Sequence, residues 1–351
     1  MTGAPAPDNQ DLVQLPKAHL HLHFTGSMRP STMLELANEQ QVRLPAHMLE
    51  EDPLSVPADA RGWFRFQRSY DSARNLVRTE EIMRRLVHET AEDEAAEGSV
   101  HLELQVDPTT YAHWVGGLTP ALEIILDEAK QASADTGVDV AVIVAASRTR
   151  HPLDARALAR LAAQYAGDQP GEVVGFGLSN DERVGTTADF SSAFQIARRA
   201  GLASVPHGGE LLGPDSIRQV VGHLAPKRLG HGVRAAEDLD LLERLVDEGI
   251  AFEICPTSNV QLGVFQDHHE VPLRTLVDAG AKVALGADDP LLFRSRLVDQ
   301  YSAARDVHGF STAEIAELAK SSIDASLATD SKKRKWKEGV EAWLTTNAEV
   351  A

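Results

Sequence analysis

Short apolar runs that favour strands alternate with longer amphipathic segments along most of the chain. The strand-like runs lie at residues 18–23, 99–106, 138–145, 172–177, 202–206, 228–231, 250–254 and 281–286. Between them, apolar residues recur at helical spacing in residues 80–97, 119–135, 152–166, 187–200, 214–224, 236–248 and 270–279. Eight strands that alternate with helices indicate a parallel sheet that closes on itself. The predicted fold is therefore α/β, a (β/α)8 TIM barrel.

Three positions carry residue types that start helices. Pro120 follows Thr119 and is predicted at the first helical position, where its missing N–H is not needed. Thr187 and Ser311 are predicted N-caps, because their hydroxyls can accept hydrogen bonds from exposed backbone amides.

The segment between the first two strands is unusually long and is predicted to be a helical insertion. It spans about residues 24–98 and carries Trp63, Phe64, Phe66 and Tyr70. Apolar side chains over the mouth of a barrel could form a lid on a bound ligand, with Phe66 in contact with it. They could equally form a satellite core between the inserted helices. The sequence leaves both alternatives open.

The rest of the chain divides around this barrel without a recognisable linker or internal repeat. Residues 1–14 are predicted to be a flexible tail, because the chain begins with small, polar and proline residues. Residues 15–330 form the predicted barrel, and residues 331–351 a C-terminal helix and tail. The basic run Lys332–Lys337 is interpreted as the solvated face of that helix.

Composition excludes several classes of protein. The 351 residues include 34 Lys+Arg and 52 Asp+Glu, a formal net charge of −18, which argues against an extended nucleic-acid interface. Neither a signal-peptide pattern nor an apolar run of about 18 residues is present, so no membrane association is expected. The single cysteine, Cys255, is predicted to be a small buried residue, and a cytoplasmic location is expected. A homo-oligomer remains open.

Candidate metal ligands follow several of the predicted strands. Because catalytic groups of such barrels lie at the C-terminal strand ends, the residues found there carry the chemistry. His21 and His23 are two apart in the first strand and face the same side, while His19 shares that face at a deeper level. His207 ends the fifth strand and Asp288 the eighth. Three imidazoles and one carboxylate suit one Zn²⁺ per subunit, with a position left for water.

A metal-bound water has a pKa lowered towards 7, so hydrolysis is the expected chemistry. Glu210, three residues after His207, could donate or accept a proton. His231 could orient the water or move its proton, and Asp289, beside Asp288, could face the substrate.

Five motifs together resemble the adenosine deaminase branch of the amidohydrolase superfamily. They occur in the order and spacing of that family between about residues 15 and 325. The motifs are Pro16–His23 followed by Gly26-Ser27, His207–Glu210, Arg228–Gly232, Cys255–Asn259 and Ala284–Pro290.

The resemblance implies a zinc-dependent hydrolytic deaminase with Zn²⁺ on His21, His23, His207 and Asp288. Glu210 would protonate purine N1 while hydroxide attacks C6, and ammonia would leave. His231 would act as base or orienter of the water, and Asp289 would accept from a protonated N7. Strand four ends in Gly-Phe-Gly-Leu-Ser-Asn, without the bridging residue of two-metal relatives, so one metal is expected.

The departures from the family pattern concern the substrate. Thr25 stands where an acidic residue commonly contacts the ribose 5′-hydroxyl, and Asn180 stands where a glycine meets purine N3. Strand two reads Glu103–Asp107 where an arginine and a serine are usual. The residues predicted to bind substrate are Thr25, Phe66, Gly177, Asn180 and Asp289.

Several substrates remain open at this point. The leading hypothesis is an adenosine-like purine nucleoside, a small molecule; adenine and a 5′-modified nucleoside such as aminodeoxyfutalosine are the alternatives. Arg65, Arg68 or Arg74 could meet an acidic 5′ extension. A non-purine amidohydrolase and a catalytically silent barrel are less favoured, because all metal and proton-transfer positions are filled.

Overall fold

The computed structural model describes residues 9–347 and contains one eight-stranded parallel sheet. Its strands are hydrogen-bonded in chain order, and the predicted TIM barrel is confirmed. The predicted strands are also confirmed, with small shifts at their ends. They are β1 (Lys17–His23), β2 (Ser99–Val106), β3 (Asp139–Ser147), β4 (Val173–Ser179), β5 (Ala203–Gly208), β6 (Arg228–His231), β7 (Ala251–Ile254) and β8 (Val283–Leu285).

The first and last strands meet where both end. The amide of His23 donates to the Asp288 carbonyl at 3.1 Å, and the amide of Asp288 donates to the His21 carbonyl at 3.0 Å. These two hydrogen bonds join β1 to the residues after β8 and so close the barrel at its C-terminal rim.

Helices surround the barrel and alternate with its strands. Inside the barrel, β3, β4 and β5 contribute a small apolar cluster, while the large core lies between sheet and helices. The helices are α1 (Gln10–Gln14), α2 (Pro30–Glu39), α3 (Ala60–Arg74), α4 (Glu80–Ala96), α5 (Ala112–Val115), α6 (Leu118–Thr136), α7 (Pro152–Ala162), α8 (Ser191–Arg199), α9 (Pro214–Leu224), α10 (Leu239–Asp247), α11 (Pro256–Gln261), α12 (Leu273–Asp278), α13 (Pro290–Phe293), α14 (Leu297–Asp306), α15 (Thr312–Ala325) and α16 (Asp330–Asn347).

The segment of residues 24–98 contains α2, α3 and α4, but not all three helices are additional to the barrel. Helix α4 packs against α6 and β2 and thus belongs to the outer layer of the barrel. Only the stretch through α2 and α3 is additional to the (β/α)8 pattern, so the insertion is shorter than predicted.

Two of the predicted helix starts are wrong. Helix α6 begins at Leu118 with Gly117 as its N-cap, so Pro120 lies within the first turn. Thr187 opens a 3-10 turn, Thr187–Phe190, and its hydroxyl accepts from Arg148 instead of capping α8. The predicted N-cap at Ser311 is confirmed, because its hydroxyl accepts from the Glu314 amide while the Glu314 carboxylate accepts from the Ser311 amide.

The predicted N-terminal tail is too long at its C-terminal end. Residues 10–14 form helix α1, and the side chains of Leu12 and Leu15 are fully buried. The backbone carbonyl of Asp11 accepts from the indole N–H of Trp343 on α16 at 2.7 Å. These contacts fix α1 on the barrel; the rest of the tail, residues 1–8, lies outside the described residues.

Helix α16 carries the basic run, as predicted. Lys332 pairs with Asp139 at 2.7 Å and Lys337 pairs with Asp324 at 2.7 Å, so part of this run is neutralised within the chain. The last four residues, 348–351, lie outside the described part. Across residues 9–347, no helix combines the length and the apolar composition needed to cross a membrane.

A buried lysine joins α1 to the base of the barrel. The Lys17 ammonium is fully buried and donates to the carbonyls of Leu12 at 2.8 Å, Leu15 at 3.0 Å and Glu97 at 2.5 Å. Burial lowers the pKa of Lys17 to about 8, against the opposing charges of Glu97 and Glu94. The three carbonyls it satisfies belong to chain segments on both sides of β1.

We expect Lys17→Met to lower the free energy of unfolding by about 2–3 kcal/mol, because three buried carbonyls lose a charged donor. Urea titration measures the change. Lys227→Met, which alters an exposed side chain, serves as the control and should shift stability by less than about 0.5 kcal/mol. Equal stability of the two variants would contradict the role given to Lys17.

Candidate active site

The four residues predicted to hold a metal converge at the C-terminal rim of the barrel. Nε2 of His23 lies 3.2 Å from Oδ1 of Asp288, and Nε2 of His21 lies 3.5 Å from the same oxygen. Nε2 of His207 faces Nε2 of His23 at 3.3 Å. Strand alternation brings His21 and His23 to one side, and the closing contact between β1 and the end of β8 brings Asp288 to them.

The donor set fits a divalent metal ion. Two ligand atoms of a tetrahedral site with bonds of about 2.0–2.1 Å lie about 3.3 Å apart, which is close to the separations observed here. Within residues 9–347, Nε2 of His21 is buried and finds no hydrogen-bond partner. Burial lowers the pKa of His207 well below its usual range, which favours the neutral imidazole that a metal ion needs.

Other combinations in the same cluster could also hold an ion. His21, His207 and His231 form one triad of donor atoms, and His231, Cys255 and Asp288 form another. The two triads share residues with the predicted set, so they belong to one site. The ligand set of His21, His23, His207 and Asp288 therefore stays a prediction.

A buried chain of charges orients His21 from below. Nδ1 of His21 lies 2.7 Å from Oε2 of Glu253, whose other oxygen accepts from Nε of Arg228 at 2.6 Å. The Arg228 guanidinium also pairs with Glu103, and all of these side chains are fully buried. A carboxylate that accepts from one ring nitrogen directs the other nitrogen of the histidine towards a metal.

His19 has a structural role at the deeper level expected for it. Its Nδ1 lies 2.8 Å from Glu94, and its Nε2 accepts from the Ala287 amide at 2.9 Å. Both ring nitrogens are therefore occupied away from the cluster. Cys255 is fully buried, as predicted, and burial raises the pKa of its thiol.

Three further groups predicted to move protons surround the same cluster. Nε2 of His231 lies 3.6 Å from Oε1 of Glu210 and 4.0 Å from Oδ2 of Asp288. In the described part of the chain, Oδ1 of Asp289 has no hydrogen-bond partner. His231 and Asp288 adopt left-handed backbone conformations, with φ of 60° and 62°, which turn their side chains into the barrel mouth.

Burial sets the protonation of these groups. It raises the pKa of Glu210 well above its usual range, and the negative charges of Asp288 and Glu182 add to that effect. Burial also lowers the pKa of His231 to about 3, with a further contribution from His21. A raised pKa favours a Glu210 carboxyl that carries a proton to donate, while the neutral His231 has a ring nitrogen able to accept a hydrogen bond from water.

A single cavity connects these groups to the surface. The space within it, including solvent beyond its open mouth, is about 710 Å³. His23, His207, Glu210, His231, Asp288 and Asp289 border it on the metal side. The opposite wall is largely aromatic and includes Trp63, Phe66, Tyr70 and Tyr111, together with the polar Gln67, Arg74 and Asp107. Gln105 also borders the cavity, but its Nε2 lies 3.4 Å from Nδ1 of His21, beside the metal cluster.

Helix α3 supplies much of that opposite wall. Phe66 borders the cavity and stacks on Phe293 with the ring centroids 5.6 Å apart and an interplanar angle of 5°. Trp63 lies 5.0 Å from Phe66, centroid to centroid. Trp63, Phe66 and Tyr70 thus border the cavity and Phe66 also packs on α13, whereas Phe64 is 65% exposed and takes part in neither arrangement. A lid movement stays a prediction.

The residues predicted to bind substrate are only partly brought to the cavity. Phe66, Asn180 and Asp289 border it, whereas Thr25 and Gly177 do not. The Thr25 side chain is fully buried and its hydroxyl lies 2.6 Å from the Tyr111 hydroxyl. Gly177 lies within β4, where an added Cβ would meet Val205 and Ala145.

Sequence reasoning missed several residues of this wall. Tyr111 follows β2 in a short irregular stretch, where no periodic pattern marks a side chain that turns inward. Gln67 lies one turn before Asp71 on α3 and resembles a surface residue in sequence. Of the three arginines considered, Arg74 borders the cavity, while Arg65 and Arg68 do not.

Comparison with known proteins identifies the family. A family model described as adenosine deaminase matches residues 16–343. The chain belongs to the adenosine deaminase family. It is therefore a deaminase of the hydrolase class, and the resemblance seen in its motifs is confirmed.

Relatives of this deaminase family carry closely related descriptions. A protein of Streptomyces coelicolor described as a putative adenosine/adenine deaminase is 57% identical over 340 residues, covering 95% of this chain and 98% of the relative. An adenine deaminase of Sinorhizobium fredii is 36% identical, covering 90% and 95%. The crystal structure of an adenine deaminase from Arthrobacter aurescens, 28% identical, superposes with a TM-score of 0.85 over 94% of this chain and 99% of that one.

We expect Glu253→Gln to weaken zinc binding about 10- to 100-fold, because His21 loses the carboxylate that orients it. Competition with a chelator measures the affinity independently of activity, and circular dichroism checks the fold. The control is Glu243→Gln on the exposed face of α10. Unchanged affinity in Glu253→Gln would show that this carboxylate does not support the metal.

Gly26 leaves room for the Asp289 carboxylate. A Cβ at Gly26 would lie 1.7 Å from Oδ1 of Asp289, so that side chain must move in Gly26→Ala. We expect kcat/KM of this variant to fall about 100-fold, because small displacements of reacting groups are costly. The control is Gly222→Ala on α9, where, among the described residues, an added carbon meets no atom within 4 Å. Full activity of Gly26→Ala would mean that the position of Asp289 is not critical.

Proposed function

We propose that the protein removes the 6-amino group of a 6-aminopurine as ammonia, using one Zn²⁺ held by His21, His23, His207 and Asp288. The observation that carries this proposal is the grouping of Glu210, His231 and Asp289 around the metal cluster, with Nε2 of His231 3.6 Å from Oε1 of Glu210. Burial raises the pKa of Glu210 and lowers that of His231, which favours an acid beside a neutral imidazole. A Zn²⁺ ion at this cluster would lower the pKa of water and supply hydroxide near neutral pH.

Each of the other steps of the reaction is assigned to one side chain of the protein. Glu210 donates a proton to purine N1, which withdraws electrons from C6 and favours attack there. His231 orients the attacking water, takes up one of its protons and returns that proton to the departing amino group. The second water proton passes to Glu210 as the C6 carbonyl forms, which restores the acid. Asp289 shares a hydrogen with N7 and fixes the plane of the ring. Water and the 6-aminopurine thus give the 6-oxopurine and ammonia.

The free base adenine is the favoured substrate within this class. Thr25 has no charge, and its hydroxyl is fully buried against the Tyr111 hydroxyl and does not border the cavity, so it does not reach a ribose 5′-hydroxyl. Relatives described as adenine deaminases, such as that of Sinorhizobium fredii, also support this choice.

A nucleoside with an acidic 5′ substituent is the second candidate. Arg74 borders the cavity, and in the described residues its Nε has no hydrogen-bond partner. A guanidinium in that position could bind a carboxylate carried on the sugar side of the purine.

A panel of substrates tests this proposal. Ammonia release by the zinc-loaded protein is measured with adenine, adenosine, 2′-deoxyadenosine, 5′-substituted adenosines, aminodeoxyfutalosine and cytidine. We expect adenine to reach a kcat/KM above roughly 10⁴ M⁻¹s⁻¹. A nucleoside turned over at least tenfold better would overturn the choice of the base, and inactivity on every purine with zinc bound would overturn the reaction.

Glu210→Gln is the matched variant for the same assay. Glutamine keeps the size of the side chain and removes its transferable proton, so we expect turnover to be lost while bound zinc stays at one equivalent. Substantial activity in this variant would remove Glu210 from the proposed proton transfer.

A further inference from the structure

Glu182 is a buried carboxylate with an unusual number of hydrogen-bond donors. It lies in the loop after β4 and is 4% exposed. One oxygen, Oε1, accepts from the Gly209 amide at 2.7 Å and from the Ser216 hydroxyl at 2.5 Å. The other, Oε2, accepts from the amides of residues 210, 211 and 212 at 3.1, 2.9 and 2.9 Å.

These donors belong to the segment that carries Glu210. Residues 209–212 connect β5 to the start of α9, and Gly209, with φ of 75°, turns the chain so that successive amides point to one side. A buried carboxylate needs such donors, because its removal from water is costly without them. The amide of Glu210 is itself one of the groups held by Glu182.

The other end of this segment is held from the same side of the barrel. Nη2 of Arg148 donates to the His207 carbonyl at 3.0 Å, and Nη1 donates to the Thr187 hydroxyl at 3.1 Å. The stretch of residues 207–212 is thus fixed at both ends by buried side chains from the loops after β3 and β4. Asn180, two residues before Glu182, borders the cavity, so the same loop also contacts the site.

We infer that Glu182 is a positioning residue for the reaction, whose carboxylate fixes the backbone of residues 209–212 and thereby places the Glu210 carboxyl at the substrate ring. This inference rests on the role proposed for Glu210. Glu182 itself does not border the cavity, and its contact with the site is the hydrogen bond from the Glu210 amide. It acts on turnover through the geometry of Glu210, because an error of about 1 Å in a reacting group costs about 100-fold in rate.

The test is Glu182→Gln in the full-length zinc-loaded protein. The amide replaces one acceptor oxygen by an NH₂ group that faces backbone N–H donors, so the segment must shift. We expect kcat to fall roughly 10- to 100-fold, with KM within about twofold and bound zinc unchanged, since the metal residues and the aromatic wall are untouched. A loss of kcat confined in this way distinguishes positioning from general damage to the fold.

Two further variants test the same contact with a smaller change and provide a control. Ser216→Ala removes a single donor to Glu182 and leaves its charge in place, and we expect kcat to fall about two- to fivefold, again at constant KM. Asp267→Asn is the control, because Asp267 also accepts from two backbone amides, those of His269 and Glu270, but at an exposed turn outside the cavity wall. We expect its kcat to be unchanged.

The outcomes separate failure of the positioning role of Glu182 from failure of the proposed function. Wild-type kcat in a folded Glu182→Gln protein overturns the positioning role, as does a parallel loss of zinc and a large rise in KM. If Glu182→Gln does not fold, an unchanged kcat in Ser216→Ala overturns it instead. Glu210→Gln is assayed alongside: if that variant is active, the proposed function fails, whereas an inactive Glu210→Gln beside a fully active Glu182→Gln rejects only this inference.

Discussion

The ion pairs of Arg228 in the centre of the barrel are the interaction on which the site depends. The guanidinium lies between Glu103 on β2 and Glu253 on β7, and Glu253 in turn orients His21 on β1. Charges at this depth cost free energy unless each is paired and hydrogen-bonded, so each partner depends on the others. An apolar barrel core would cost less to bury, but it could not direct an imidazole towards a metal ion.

The same buried environment shifts the pKa values of neighbouring histidine and carboxyl groups in opposite directions. Burial keeps His207 and His231 neutral and keeps the Glu210 carboxyl protonated, although the groups lie within one cluster. Each of these states is the one that its proposed role requires, a metal ligand, a base and an acid. The exclusion of water therefore prepares these side chains for their proposed roles, and the negative charge of Asp288 adds to the raised pKa of Glu210.

Much of the fold and of the metal side of the cavity was predictable from the sequence. Strand periodicity placed His21 and His23 on one face, and the alternation of strands and helices brought His207 and Asp288 to the same rim. The opposite wall was not predictable in the same way. The directions of Tyr111, which borders the cavity, and of Thr25, which contacts Tyr111 but does not border the cavity, are set in loops, where neither a period of two nor one of 3.6 applies. The packed helix α1 was missed because its short apolar pattern follows a polar, proline-containing start. Glu182 resembles an ordinary loop carboxylate in sequence, since its donors are backbone amides that only the fold assembles.

The closing contact between β1 and the end of β8 links the site to the integrity of the barrel. The amides of His23 and Asp288 form the hydrogen bonds of that seam, and the side chains of the same two residues belong to the proposed metal site. A metal ion bound by both side chains would therefore also stabilise the contact between β1 and the end of β8. Hydrogen exchange at these two amides reports local opening of the barrel, so their protection should follow the occupancy of the metal site rather than the global stability of the protein.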